Sequence, residues 1–195
     1  MRKMNVAMLV ASFVLMVCCQ AKAETIWSDS FESGSFNAWT SVNGNWITSG
    51  GNNHSGTKRA QIAGANTTGG DILVLEKPST GYTNVALNYW CRIHDSLEAN
   101  DYLFVEYTAN GGDWHQLEVY NNVVGLTTWN EHNLLLPADA GNNQLFQFRL
   151  RANFNSASDV VYFDDFTLSG QPVPEPSSLL ILFPCFAFLL VRRFK

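Results

Sequence analysis

Between Thr25 and Gly170 apolar and polar residues alternate in short runs with a period of two. In Val85–Ile93, residues Val85, Leu87, Tyr89, Cys91 and Ile93 share one side, and Asn88, Trp90 and Arg92 share the other. Tyr102–Tyr107 places Leu103, Val105 and Tyr107 together. Leu145–Arg151 sets Phe146, Phe148 and Leu150 against Gln147, Arg149 and Arg151. This alternation is what a sheet packed on one face requires, and it predicts strands. The Asn110-Gly111-Gly112-Asp113 stretch between two such runs predicts a hairpin, because Gly and Asn take positive φ at little cost. Asn43-Gly44-Asn45, Ser49–Asn53 and Gly141-Asn142-Asn143 mark further loops, and no window carries a helical stripe. Many short strands at this spacing predict an all-β sandwich of antiparallel sheets.

Composition supports a folded core. Of 195 residues only 15% are charged while 13% are aromatic, including six Trp and thirteen Phe, which suits one domain and argues against disorder. The segment 24–176 holds six basic and seventeen acidic residues, a net of −11. With no basic patch to engage phosphates, nucleic acid is excluded as a partner. Cys91 is the one cysteine of this body, so no disulfide forms within it; its alternation with Leu87, Tyr89 and Ile93 predicts a small core residue.

The two ends differ from the body. Arg2 and Lys3, an apolar run from Val6 to Cys19 and Ala21-Lys22-Ala23 predict a secretory signal peptide, 1–23, cut after Ala23. At the other end the sandwich, 24–170, gives way to a proline-rich linker beginning at Gln171, in which the prolines oppose helix and strand pairing alike. An apolar helix over 177–191 and the basic tail Arg192, Arg193 and Lys195 follow. About fifteen residues make a marginal membrane span where roughly twenty are usual, with the basic tail on the cytoplasmic side.

The order Val173-Pro174-Glu175-Pro176, apolar helix, Arg192-Arg193 resembles the tripartite PEP-CTERM sorting signal. The resemblance covers 171–195. It implies an exported protein, held transiently in the inner membrane of a Gram-negative bacterium that makes exopolysaccharide. An exosortase would process it near Glu175, leaving it at the cell surface or in the extracellular matrix. Proline rigidity would present Glu175 in a preformed extended conformation to that enzyme.

In the body, DSFESGSFNAWT, HSGTKRAQI, TNVALNYWCRI, DYLFVEYTANGGDWHQL and VVYFDDFTLSG resemble the landmarks of bacterial jelly-roll modules of MAM-type and galactose-binding-like kind. That likeness implies a jelly-roll β-sandwich. It also implies a structural calcium where the first and last strands meet, held by Glu32 and Asp164 with Asp29 and Asp165 beside them and carbonyls of Ser55 or Lys58. Calcium takes six to eight hard oxygens, so carboxylates from distant parts of the chain suit it. The alternative is that Asp29 and Glu32 simply face water and Asp164-Asp165 end the packing at a sheet edge.

If Leu87, Leu103 and Phe148 point inward, then Trp90, Arg92, Tyr102 and Arg149 point outward, and aromatic planes beside guanidinium donors are what sugar rings need. Loops covering that face would instead make Trp90 an ordinary packed residue. Catalytic motifs are absent, and His54, His94, His115 and His132 stand singly; the acids Glu106, Asp113 and Glu118 are the places where a glycosidase pair would hide. The expectation is a non-catalytic, exported glycan-binding protein. Its alternative is a structural or adhesive protein that contacts other proteins, and a polysaccharide hydrolase ranks below both.

Overall fold

The computed structural model describes residues 22–64, 70–94, 96–125 and 128–174. The expected signal peptide up to residue 21, the helix over 177–191 and the residues Glu175, Pro176, Arg192 and Arg193 lie outside them. Glu24–Gln171 gathers into one compact unit.

Eleven strands and one 3₁₀ turn, Ala138–Ala140, make up the described secondary structure. The strands are β1 (Glu24–Asp29), β2 (Ser41–Asn43), β3 (Trp46–Ser49), β4 (Arg59–Ala63), β5 (Asp71–Glu76) and β6 (Tyr82–Ile93). They continue with β7 (Tyr102–Thr108), β8 (His115–Tyr120), β9 (Asn130–Leu135), β10 (Gln147–Asn153) and β11 (Val160–Pro172). A six-stranded antiparallel sheet runs β3-β4-β11-β6-β9 with β1 also on β11, and a five-stranded one runs β2-β5-β10-β7-β8. This is the jelly-roll sandwich. β2 and β3, separated by Gly44 and Asn45, belong to different sheets, so that loop is a crossing between layers.

The period-two runs bury the sides expected of them. Val85, Leu87, Tyr89, Cys91 and Ile93 face inward from β6, Leu103, Val105 and Tyr107 from β7, and Phe148 and Leu150 from β10. Cys91 is a free, buried thiol, and desolvation pushes its proton affinity well up, as for an inert core residue. Phe166 sits at the centre, with ring centroids of Tyr89, Trp39, Phe163, Phe148 and Phe31 between 5.1 and 6.1 Å away. Phe31 reaches this cluster with φ +59. Burying a phenyl ring is worth about 1.5–3 kcal/mol, which offsets the roughly 1–2 kcal/mol cost of a left-handed conformation.

β11 carries the feature that positions the acidic residues. Along one edge Val160–Phe163 pair with β4, and Phe166–Gly170 pair with β1. Along the other edge β6 runs for nearly its whole length, from His94 N donating to Val160 O at 2.9 Å to Thr83 Oγ1 donating to Gln171 O at 3.4 Å. Asp164 and Asp165 therefore stand where one neighbour ends and the next begins, and Asp165 has φ +49.

The strand continues through Gln171 and Pro172, where the sequence predicts a linker that resists strand pairing. A proline in the last position of a strand gives up no essential ladder bond. Gln171 is also held by Asn84 Nδ2, which donates to its Oε1 at 2.7 Å. Val173 and Pro174 follow as exposed, irregular chain. Among the described residues no helix is long and apolar enough to cross a membrane.

Candidate functional site

The outer face of the five-stranded sheet carries an array of ring and guanidinium groups. Pairing register sets Asn43, Ile72, Arg151, Phe104 and Val119 in one row, and Ser41, Val74, Arg149, Glu106 and Gln116 in the next. Tyr102 and Phe104, two residues apart on β7, stack with centroids 5.6 Å apart and planes 4° apart. Arg151 lies 4.2 Å over the Phe104 ring and Arg149 lies 4.0 Å over Trp114.

Glu106 organises this face. Its Oε2 accepts from Arg149 Nε at 2.7 Å and Arg151 Nε at 3.1 Å, and its Oε1 accepts from Arg151 Nη2 at 2.8 Å. Burial works to raise the proton affinity of the Glu106 carboxyl, but the bonds and charges of Arg151 and Arg149 outweigh it and hold the carboxyl below the usual range. Glu106 stays ionised, and the rotamers of both arginines are fixed by it.

The four residues expected to form one ligand face do not come together. Tyr102 and Arg149 lie on the five-stranded sheet, whereas Trp90 and Arg92, on β6, lie on the six-stranded one. All four point outward, as alternation demands, but from opposite layers. Loop residues cover Trp90: its indole stacks on His54 at 3.7 Å and 13°, and Trp129 Nε1 donates to Asn52 O at 3.0 Å nearby in the same loop. Arg92 stands 5.8 Å from the ring of Tyr162, over which Arg59 packs at 3.9 Å. Trp114 escaped the sequence reading because it follows the Gly111-Gly112-Asp113 turn and precedes β8, outside any alternating run.

The acidic residues near the β4–β1 changeover form a second, polar locality. Asp164 is fully buried; its Oδ2 accepts from His54 N at 3.0 Å and Ser55 N at 3.2 Å, and its Oδ1 from Asp165 N at 2.9 Å. Desolvation, with the Asp165 charge adding, pushes the Asp164 carboxyl up to about 6 against the lowering effect of those amides. Asp165 takes His54 Nδ1 at 2.6 Å and Ser55 Oγ at 2.8 Å. Glu32 accepts from Thr57 N at 2.8 Å, Lys58 N at 2.7 Å and Thr57 Oγ1 at 2.9 Å. The bonds from Lys58 and Thr57 hold its carboxyl below the usual range. Asp29 accepts from Phe31 N and Trp39 Nε1, each at 2.9 Å. Ser55 and Lys58 turn their amide N–H groups toward the carboxylates of Asp164 and Glu32.

Asp29, Glu32 and Asp165 line one shallow depression of about 350 Å³ with Ser28, Ser30 and Thr167. The donors are oxygens throughout, so they fit a hard divalent cation in kind. Among the described residues, however, the group of three carboxyl groups whose oxygens lie within 4.8 Å of one another is a different one, Glu98, Asp101 and Asp159. Asp101 and Asp159 each directly precede a strand and are buried, a position at which sequence alternation says nothing.

The carboxylates considered for catalysis are engaged elsewhere. Glu118 is bonded by Tyr89 and Tyr120 hydroxyls and lies 3.1 Å from His132 Nδ1, which ties edge strand β8 to edge strand β9. Burial opposes, but His132 and Tyr89 prevail and hold the Glu118 carboxyl below its ordinary range. Neither Glu106 nor Glu118 has the raised proton affinity of a general acid, and Asp113 is bonded to Asn110 Nδ2 at 2.9 Å.

No protein-family model matches the sequence, and no curated protein matches it. Solved structures do match in fold. The chain is similar to the TmCBM61 module in complex with β-1,4-galactotriose, at 14% identity and TM-score 0.58, over 76% of this chain and 99% of that one. It is similar to the K3 cleaved adhesin domain of Lys-gingipain from Porphyromonas gingivalis, at 19% identity and TM-score 0.56, over 74% and 98%. It is also similar to the CBM22-1 xylan-binding domain of Paenibacillus barcinonensis Xyn10C, at 14% identity and TM-score 0.54, over 79% and 99%. At these identities the likeness is one of fold.

Proposed function

We propose that this chain is a non-catalytic, exported protein of the cell surface or extracellular matrix whose sandwich binds glycan on the outer face of the five-stranded sheet. The observation that carries this reading is the ordered array of Tyr102, Phe104 and Trp114 with Arg149 and Arg151 clamped by Glu106. Rings and fixed polar donors on one exposed sheet face are the elements of sugar recognition. Similarity in fold to a module solved in complex with β-1,4-galactotriose and to a xylan-binding domain supports it. Affinity electrophoresis of the full chain through gels containing polysaccharides tests it. Retardation that a Tyr102→Ala/Phe104→Ala variant loses, at unchanged melting temperature, is expected; equal mobility in every gel would reject it.

The carboxy-terminal pattern supports export. We read Pro174, Glu175 and Pro176 as the recognition element of an exosortase, with the apolar stretch 177–191 and Arg192-Arg193 holding the precursor in the inner membrane until it is cut. Mass spectrometry of the extracellular protein tests this, and Arg192-Arg193 still attached there would refute it.

A structural calcium at the Glu32–Asp164 locality is part of the same reading. Asp29, Glu32, Asp164 and Asp165 would supply hard oxygens, and the ion would relieve the charge that Asp164 carries in a fully buried position. The adhesive alternative rests on the likeness to gingipain adhesin domains; a protein partner recovered in place of glycan would favour it.

A further inference from the structure

The outer face of the five-stranded sheet offers a sugar something other than bare rings. Phe104 has Arg151 4.2 Å above it and Trp114 has Arg149 4.0 Å above it, so one face of each ring is already covered by a guanidinium plane. Neutral glycans are held mainly by C–H groups laid on open aromatic faces, with hydroxyls paired at the edges. Here the approaching ligand meets cations at those positions.

The charge at this point is of the right sign and is available. Each guanidinium has five N–H donors. The bonds to Glu106 use Nε of Arg149 and Nε and Nη2 of Arg151, which leaves the Nη groups of Arg149 and Nη1 of Arg151 for another acceptor. Glu106 lies beneath them: its side chain is 8% exposed, against 18% for Arg149 and 30% for Arg151. One buried carboxylate with two outward guanidiniums is a net positive charge of one. It stands out on a segment, 24–176, that carries −11. Among the described residues the carboxylate in ion-pair contact with these guanidiniums is Glu106; Glu76 stands in the adjacent row, opposite Gln147, and Asp113 is bonded to Asn110.

Resting on the glycan-binding reading above, we infer that the ligand is an anionic glycan whose carboxylate or sulfate group sits on the outer nitrogens of Arg149 and Arg151, with Tyr102 flanking the same sugar chain. Arg151 receives the Glu106 carboxylate as a fork through Nε and Nη2, and Arg149 donates to it through Nε alone; the ligand's anionic group is taken by the remaining nitrogens from the solvent side. Fixed rotamers lower the ordering cost of binding.

Titration of the full chain against polygalacturonate, chondroitin sulfate, xylan and β-1,4-galactan tests the inference. One charge-assisted hydrogen bond is worth about tenfold to a hundredfold in affinity. The acidic polymers are expected to bind at least about tenfold tighter than the neutral ones, with the preference shrinking as salt rises. Polygalacturonate binding identifies a uronate; chondroitin sulfate carries both uronate and sulfate, so it identifies sulfate only if it binds where polygalacturonate does not. Arg149→Met, which keeps the stem on Trp114, should abolish the preference, and Arg149→Lys should retain part of it. Val119→Glu, on an exposed position in the row of Phe104 and Arg151, should weaken only the acidic polymers without disturbing the clamp. Neutral polymers binding as tightly as acidic ones would overturn the anionic ligand and leave the glycan face standing. Acidic binding untouched by both Arg149→Met and Val119→Glu would place the anion elsewhere and also overturn it. Binding to no polymer would reject both readings.

Discussion

Trp90 and Arg149 point outward from opposite layers of the sandwich, Trp90 from β6 of the six-stranded sheet and Arg149 from β10 of the five-stranded one. Two residues with the same alternation and the same chemical suitability for sugars therefore have separable roles. Trp90→Ala removes a ring stacked on His54 at 3.7 Å. It should cost about 0.5–1.5 kcal/mol of stability beyond the lost packing area and leave polysaccharide retention unchanged, whereas Tyr102→Ala should reduce retention. Loss of retention in Trp90→Ala at an unchanged melting temperature would contradict this assignment.

Glu106 makes stability depend on pH in a defined direction. Its folded carboxyl titrates below the ordinary value of 4.5. The stability it contributes is therefore fully present above pH 4.5 and is lost as the pH falls through the lower, folded value. Glu106→Gln should lower stability by about 1–3 kcal/mol near neutrality, and the gap from wild type should close as the pH falls through that lowered, folded value. Urea melts of both proteins across that range check it; a gap that stays constant would show that the charge is immaterial.

Ion binding at the β4–β1 changeover is read by calorimetry. Saturating calcium at a hundredfold excess over its Kd stabilises by about 2.7 kcal/mol, roughly 5–10 °C for a domain of this size. Chelator should reverse the shift. An unchanged midpoint in both conditions would remove the ion from the proposal.

Gly56 holds the loop that carries the donors to Glu32. It has φ +53, and a Cβ there would lie 2.4 Å from Glu32 Oε1. Gly56→Ala should cost about 1–3 kcal/mol, combining backbone strain with displacement of that carboxylate. Gly111, at φ +76 in the β7–β8 hairpin, has open space around it, so Gly111→Ala should cost only about 1 kcal/mol. Comparable melting temperatures for the two variants would show that the Glu32 contact carries no weight.

Removing the ring of Phe166, buried among five other aromatics, should cost about 3–5 kcal/mol. A much smaller loss in a denaturant melt of Phe166→Ala would mean that the aromatic centre is not the core of the sandwich.

Strand identity was legible because a half-buried strand must alternate, and alternation survives in the order of residues. Val85, Leu87, Tyr89, Cys91 and Ile93 could be placed inside, and the Asn110–Asp113 turn between its strands, without any coordinates. The expected linker ran one strand end too long, since nothing in Gln171 or Pro172 announces that Asn84 and Thr83 will hold them. Trp114 and the buried Asp101 and Asp159 were silent because each sits just outside a strand, where no period applies.

By itself the sequence determined which residues turn inward and which outward, the all-β class, and the tripartite pattern at the carboxy terminus, because each is a matter of local spacing. Only the tertiary structure decided which sheet an outward residue belongs to. That choice parted Trp90 and Arg92 from Tyr102 and Arg149, set Arg149 and Arg151 around Glu106, and put loop amides of residues 54–58 against Glu32 and Asp164. The reason is physical: sheet membership follows from hydrogen-bond pairing between strands distant in sequence. A period-two pattern gives the side a residue faces within its own sheet, and carries no term for which sheet that is.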